Sequence, residues 1–363
     1  MNNQTNQIAF LGIKEDLTLS DLRYMLSLRG EDQSELFKIS SSVKEKFVGN
    51  IVYFRGLIEY SNRCHKNCFY CGVRSGMRAV NRYQMTDEEV IEAALFAFDH
   101  NYGSIVIQAG ERDSKLYTQR ISQLISKIHQ KTNNQMHITL SLGEQSPDTY
   151  RAWKESGAHR YLLRIESSSE ELYKKLHPQD GKHLYSARMN SINALKKLDY
   201  QVGTGVMIGL PFQTIDHLAG DLLFFKQLDI DMNGMGPYIE HEGTPLFKYR
   251  DLLASREERF NLTLNMVASL RILMKDVNIA ATTAMQTLDP QGREKAIKIG
   301  ANVIMPNITP VKYRKDYLLY QDKPCIDEEA AECLGCLERR IRSTGNEIGY
   351  GEWGDPMHYR RRR

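Results

Sequence analysis

Three cysteines crowd into "YSNRCHKNCFYCG", residues 60–72: Cys64, Cys68 and Cys71, spaced C-x3-C-x2-C. Thiolates are soft ligands, suited to zinc or to iron–sulfur clusters. A structural zinc takes four ligands, and a cubane 4Fe-4S cluster takes four, one per iron. Three thiols leave one position short. Either a fourth ligand comes from elsewhere in the chain, or one iron is kept open for a small molecule, as catalytic metal sites keep a position open.

S-adenosylmethionine (SAM) fits an open iron. Its amino and carboxylate groups can chelate the metal, and its sulfonium can then accept an electron. Cleavage gives methionine and a 5′-deoxyadenosyl radical, with the cofactors carrying the hard chemistry and the protein positioning them. The zinc alternative needs His65 or a distal cysteine. Pairing Cys68 and Cys71 with Cys333 and Cys336 makes two C-x2-C pairs, but leaves Cys64 and Cys325 without a role.

The chain's other three cysteines, Cys325, Cys333 and Cys336, form a second triplet in "PCIDEEAAECLGC". Two tight triplets separated by a long cysteine-free body favour metal or cluster binding over a disulfide framework. The second triplet is again one ligand short. It reads as a peripheral 2Fe-2S or 4Fe-4S site, or as a degraded or empty one.

Eight short runs rich in β-branched and aromatic residues must position these groups: 51–61, 103–110, 136–143, 158–167, 202–211, 231–239, 278–284 and 301–307. Helix-like stretches lie between them. "TDEEVIEAALFAFDHN" opens with Thr86 and Glu89 at capping-box spacing and puts Val90, Ile91, Ala94, Leu95, Ala97 and Phe98 on one face. Alternation of this kind predicts an α/β fold, a (β/α)8 TIM-type barrel over 51–310. A helical extension over 1–50 precedes it, and an irregular extension over 311–363 with the second triplet follows. An incomplete six-strand barrel is the alternative. Barrels work at the C-terminal ends of their strands, where Gln108, Glu111, Ser141, Glu144, Arg164, Glu166, Thr282, Thr283 and Asn307 gather.

The 363 residues are 41% hydrophobic and 26% charged, with net charge +3. This suits a globular enzyme and not a strongly basic nucleic-acid binder. The basic run Arg360–Arg363 reads as a solvated tail. No signal peptide is visible, and no apolar run approaches the ~20 residues of a membrane span, so a cytoplasmic setting with reduced thiols is expected.

C-x3-C-x2-C after the first strand of a β/α barrel resembles the signature of the radical SAM superfamily, with Tyr70 as the aromatic before the third cysteine. Within it the chain resembles the FeFe-hydrogenase maturase HydE family over nearly its whole length. The resemblance rests on "EYSNRCHKNCFYCG", "NRYQMT", "SLGE", "RYLLRIE", "GLPFQT", "EGTPL", "ATTAMQT", "GANVIMPNITP" and the late triplet. "GLPFQT" and "EGTPL" are shared with biotin synthase and methylornithine synthase.

The resemblance implies a full barrel around a large cavity, a 4Fe-4S cluster and SAM. It implies a substrate made by HydG, a cysteine-bound Fe(CO)2(CN) unit whose sulfur the radical attacks, and a product passed toward HydF. An electron donor such as a ferredoxin or flavodoxin is implied as well. By motif, Arg164 and Glu166 are similar to the pair near SAM and substrate, and Arg188 to the guanidinium that fixes the methionine carboxylate. The alternative for Arg188 is a surface helix arginine. Thr282 and Thr283 suit polar groups of a substrate or are strand fillers. Tyr317 and Tyr320 resemble cavity tyrosines. Gly205, Gly209 and Pro211 shape a loop where adenine could stack. A methylornithine synthase-like enzyme, abstracting hydrogen from a free amino acid, is the alternative function.

Overall fold

Eight parallel strands close into a ring. They are β1 Ile51–Ser61, β2 Ser104–Ala109, β3 His137–Ser141, β4 Ala158–Leu162, β5 Gln201–Thr204, β6 Met232–Asn233, β7 Asn278–Ile279 and β8 Val303–Ile304. The structure is a computed structural model and describes residues 3–363, the side chains of residues 3–6 and of Cys333 excepted. Neighbours pair in chain order from β1 to β7, and β8 pairs with β1 through Tyr53↔Val303 and Phe54↔Ile304. The last seam closes at the Ala280↔Val303 bridge, with Ala281 N donating to Val303 O at 2.8 Å. All eight expected strands are present and the six-strand alternative falls away.

Side chains alternate between the two faces of this ring, as strand geometry requires. Arg55, Val106, Thr139, Leu162, Met232 and Asn278 line a small interior void of about 30 Å³. Phe54, Ile105, Ile107, Ile138, Leu140 and Tyr161 are buried in the core formed with the surrounding helices. Helix Asp87–Asp99 starts at Thr86, whose side chain and that of Glu89 cap each other's backbone as the spacing predicts.

All the strands but β1 are shorter than expected. β5 stops at Thr204 because a Cβ on Gly205 would lie 2.5 Å from Gly234 O, so the two chains approach too closely for side chains. Pairing resumes outside the ring between Met207–Ile208 and Gly236–Pro237. After β7 the chain turns directly into helix Thr283–Leu288, so Thr282 and Thr283 begin a helix and do not fill a strand.

The N-terminal helices Leu19–Ser27 and Gly30–Val48 pack over helices Ile215–Leu228, Arg256–Leu273 and Gly292–Ile299. Their contact is polar as well as apolar. Ser40 Oγ donates to Ile299 O at 2.8 Å, and Gln33 Nε2 to Asn265 Oδ1 at 2.8 Å.

The C-terminal extension corrects two expectations. It is not irregular, since it holds helix Ala330–Arg342 and strand Glu347–Ile348, which pairs with β1. It then plugs the lower end of the ring. Gly354 O accepts from Arg55 Nη2 at 3.1 Å and Asn278 Nδ2 at 2.8 Å. Asp355 Oδ1 accepts from Arg160 Nη2 at 2.5 Å and Gln201 Nε2 at 2.9 Å, and Trp353 stacks on His137. The terminal arginines are therefore not a free solvated tail: Arg361 pairs with Asp276, Arg362 with Asp229 and Asp231, and Arg363 with Asp199. Carboxylates distant in sequence attract them.

Candidate active site

The loop after β1 carries Cys64, Cys68 and Cys71 at the upper rim, where barrels place their chemistry. Its shape is fixed largely by one guanidinium. Arg82 Nη1 donates to Asn62 O and Val73 O, both at 2.7 Å, and Nη2 to Arg74 O at 2.6 Å and Met77 O at 2.9 Å. Neighbouring loops pin the rest: Phe69 N donates to Leu176 O at 3.0 Å, Gly72 N to Leu319 O at 2.9 Å, and Asn67 N to His183 Nε2 at 2.9 Å.

The three thiols are free and half-buried. Burial raises all three pKa values, that of Cys68 to about 12. Yet a donor already points at one sulfur: Glu111 N–H donates to Cys64 Sγ at 3.3 Å. Donors at sulfur suit thiolates held by iron and tune such clusters. Iron would supply the positive charge that keeps buried thiols ionised. Among the described residues no three His, Cys, Asp or Glu side chains are placed to hold a single metal ion. A cubane spreads its thiolates around a larger body, and this donor set fits it.

A charged network runs from this loop along the ends of β2, β3 and β4. Lys66 Nζ lies 3.2 Å from Glu111 Oε1 and 2.9 Å from Glu144 Oε2. His65 Nε2 lies 3.0 Å from Glu111 Oε1, and Glu144 N donates to Glu111 Oε2 at 2.9 Å. Gly143 makes this contact possible, because at φ 78° it tolerates the turn and a Cβ would lie 2.3 Å from the Glu111 side chain. Arg188 Nε donates to Glu144 Oε1 at 2.5 Å and Nη1 donates to Arg164 O. Burial alone would lower the Arg188 pKa, but the Glu144 carboxylate and its neighbours hold it well above its ordinary value. Burial likewise works to raise Glu111, and the His65, Lys66 and Arg188 partners hold it below its ordinary value.

Arg188 is therefore buried and is not a surface helix arginine. Its Nη2 makes no hydrogen bond to the described residues, while Nε and Nη1 are both engaged. The network ends at Arg164, whose Nη2 lies 2.9 Å from Glu166 Oε2. Glu166 sits at φ 65°, a left-handed conformation rare outside glycine. Its carboxylate is close enough to Tyr70 and Cys71 to perturb both electrostatically. Tyr70 also meets His177 Nε2 at 3.3 Å and packs edge-on against that ring.

On the other side of the ring, Gln108 Nε2 donates to Tyr317 OH at 3.3 Å. Asn307 Nδ2 donates to Glu59 Oε2 at 3.2 Å, and Lys323 Nζ donates to Glu59 Oε1. Ser141 pairs in register with Gln108 and is half-buried. Thr282 Oγ1 is buried with no partner among the described residues. Gly209 and Pro211 flank Leu210, which packs with Leu172, Leu176 and Tyr238 beside the half-buried Phe69 and Tyr70. Tyr320 is half-buried near Glu59, Thr287, Arg293 and Cys325. Cys325 is half-buried at φ 63°, Cys336 is exposed on helix Ala330–Arg342, and the side chain of Cys333 lies outside the described residues.

Sequence reasoning singled out neither Lys66, Arg82 and His177 nor the buried Glu59–Lys323 pair. Arg82 lies inside the "NRYQMT" motif, and Glu59 and Lys66 inside "EYSNRCHKNCFYCG". The two larger cavities lie on the outer rim. One of about 1,040 Å³ is lined by Lys66, Glu111, Lys115, Glu144 and Lys182 among others, and one of about 380 Å³ by Arg63, Cys64, Arg82 and Arg112 among others.

A closed parallel barrel with three cysteines on the loop after β1 defines a class. Residues 58–225 match the family described as the Radical SAM superfamily, and the chain is a radical SAM enzyme. The chain is 43% identical over 94% of its length, and 92% of the relative, to the [FeFe] hydrogenase maturase subunit HydE of Thermotoga maritima. It belongs to the HydE family, with a role in hydrogenase maturation. A 3-methylornithine synthase of Methanosarcina acetivorans is 27% identical over 91% of this chain and 90% of that relative. A crystal structure of methylornithine synthase (PylB) superposes with TM-score 0.78 at 23% identity, covering 95% of this chain and 98% of that one, and shares the fold. Membership implies a 4Fe-4S cluster and SAM. Among the described residues no helix is long and apolar enough to cross a membrane.

Proposed function

We propose that the chain adenosylates the sulfur of a small anionic substrate, the cysteine-bound Fe(CO)2(CN) unit expected in this pathway. Cys64, Cys68 and Cys71 hold the cluster. Bound there, cluster and SAM would supply one-electron cleavage of SAM to methionine and a 5′-deoxyadenosyl radical.

The chain's own groups bind and orient. Arg188 offers its free Nη2 to the SAM carboxylate, with Glu111 and Glu144 fixing that guanidinium. The Gly205–Pro211 stretch, beside the apolar patch at Phe69 and Tyr70, takes the adenine. Gln108, Ser141 and Tyr317 border the cofactor from the opposite wall. Arg164, Thr282, Thr283 and Asn307 receive the substrate's polar groups, and Glu166 orients Arg164. The second triplet, with Tyr320 nearby, is a peripheral cluster site. HydG-type and HydF-type maturases and a low-potential electron donor are the partners.

The observation that carries this reading is the Arg164–Glu166 pair near Tyr70 and Cys71 of the thiol loop. Arg164 gives Nε and Nη2 to Glu166 and keeps Nη1 for an anion, whereas acid–base chemistry needs a titrating group at the reacting atom. Reduced, reconstituted protein with SAM and a small thioether-bearing carboxylate should yield a covalent C5′–S adduct by mass spectrometry. The 3-methylornithine synthase relative favours a second reading, hydrogen abstraction from carbon. It takes over if the only product is 5′-deoxyadenosine carrying deuterium from the substrate.

A further inference from the structure

We propose that the surface over Cys64 is the docking site of an acidic one-electron carrier protein. This rests on the reading of Cys64, Cys68 and Cys71 as cluster ligands. Of the three cysteines, only Cys64 lines the outward-facing 380 Å³ cavity, together with Arg63, Arg82 and Arg112. An electron entering from solvent meets the cluster by the shortest covalent path there.

The charge around that entry is one-sided. Between Glu59 and Asp87 the chain carries Arg63, His65, Lys66, Arg74, Arg78 and Arg82, and no acid at all. Arg63 and Arg112 are exposed and form no ion pair among the described residues. The Arg112 guanidinium donates to Gln84 Oε1 at 3.1 Å and lies over the Tyr117 ring. Lys115 is likewise exposed and lines the adjoining groove, which shares His65 and Asp113 with the cavity. Four carboxylates line the cavity and its adjoining groove. Glu111 and Glu144 are already paired with Lys66, Asp113 faces His65 Nδ1 at 3.3 Å, and Asp148 lies 2.7 Å from Arg151 Nη1. Beside Lys115, Leu116 is 76% exposed and gives a partner apolar surface. Buried apolar anchors ringed by charge mark protein interfaces, and unpaired surface charge of one sign steers a partner of the other.

In the transfer the carrier is oxidised by one electron and the cluster reduced by one, with no atom exchanged. Because Arg63, Arg112 and Lys115 stand on the outer side of the loop, they bind the carrier without touching SAM.

The test compares reconstituted wild type with Arg63→Glu/Arg112→Glu and with Lys115→Glu. An acidic flavodoxin is the probe, its binding measured by calorimetry at low and at high salt. SAM cleavage is driven in parallel by reduced flavodoxin and by reduced methyl viologen, a small cation that needs no docking site. Flavodoxin binding should weaken at least tenfold in the double variant and at high salt. Flavodoxin-driven cleavage should fall with it, while viologen-driven cleavage holds. Unchanged binding in the variants overturns the proposal, as does an equal loss with both reductants. Failure of viologen-driven cleavage in wild type would count against the cluster reading instead, and leaves the binding comparison to decide the docking site.

Discussion

Glu166 follows Arg164 by two residues and turns back on it. Arg164 Nη2 and Nε lie 2.9 and 3.1 Å from the same carboxylate oxygen, while the Glu166 backbone holds φ at 65°. Left-handed backbone costs an ordinary residue about 1–2 kcal/mol. The surrounding hydrogen bonds impose it: Glu166 N donates to Gly205 O at 3.0 Å, and Met207 N to Glu166 O at 3.3 Å.

Strain and charge can be separated here. Glu166→Gly accepts the backbone without strain, so its unfolding free energy should stay within about 1 kcal/mol of wild type. Glu166→Gln keeps the size and loses the charge. Both should cut SAM cleavage at least tenfold. Full activity in Glu166→Gln, with a normal denaturation midpoint, would remove the carboxylate from the site.

Thr282 Oγ1 has no partner among the described residues. An unmet buried polar group costs about 1–3 kcal/mol, so Thr282→Val should leave stability unchanged or raise it. The same change should weaken binding of an anionic substrate about five- to tenfold. A clear fall in melting temperature would show that the hydroxyl serves the fold.

Asp355 holds the lower plug against the fully buried Arg160. Burial works to raise its pKa, and the His137 and Arg160 contacts outweigh that and push it far below its ordinary value. A lowered carboxylate pKa lends stability above its ordinary pKa and loses it as pH falls through the folded value. Asp355→Ala should therefore cost about 3–5 kcal/mol at neutral pH, because Arg160 is left buried and unpaired. Chemical denaturation reads this directly, and a loss under about 1 kcal/mol would show that the plug does not depend on the pair.

Asp221 has the opposite sign. Burial raises its pKa to about 7, against two hydrogen bonds from Ser168. Its contribution is fully present below the ordinary carboxylate pKa and is lost as pH rises through about 7. Asp221→Asn cannot ionise, so it should gain on wild type as pH rises from about 5 to about 8, by on the order of 1–3 kcal/mol. Stability curves that stay parallel across that range would contradict this.

What was legible in the chain follows from range. β-branched runs and the Thr86–Glu89 box are local signals, and they marked the strands and the helix start. Cys64, Cys68 and Cys71 were legible because cluster ligands on one loop keep a fixed spacing. Arg360–Arg363 misled because a charge run looks the same whether it faces water or, as here, Asp199, Asp229, Asp231 and Asp276. Lys323 and Glu59 lie 264 positions apart, so nothing local announces their pair. The ends of β5 and β7 were overrun because glycine contacts and a helix start are decided by the facing chain.

The central claim is an open iron held by three cysteines, and electron paramagnetic resonance of the reduced, reconstituted protein tests it most directly. Wild type should show a cluster signal whose shape changes when SAM is added. The Cys64→Ala/Cys68→Ala/Cys71→Ala variant should lose that SAM-responsive signal, even where iron remains at the second triplet. A wild-type signal indifferent to SAM, or a SAM-responsive signal that survives the triple replacement, would contradict the account.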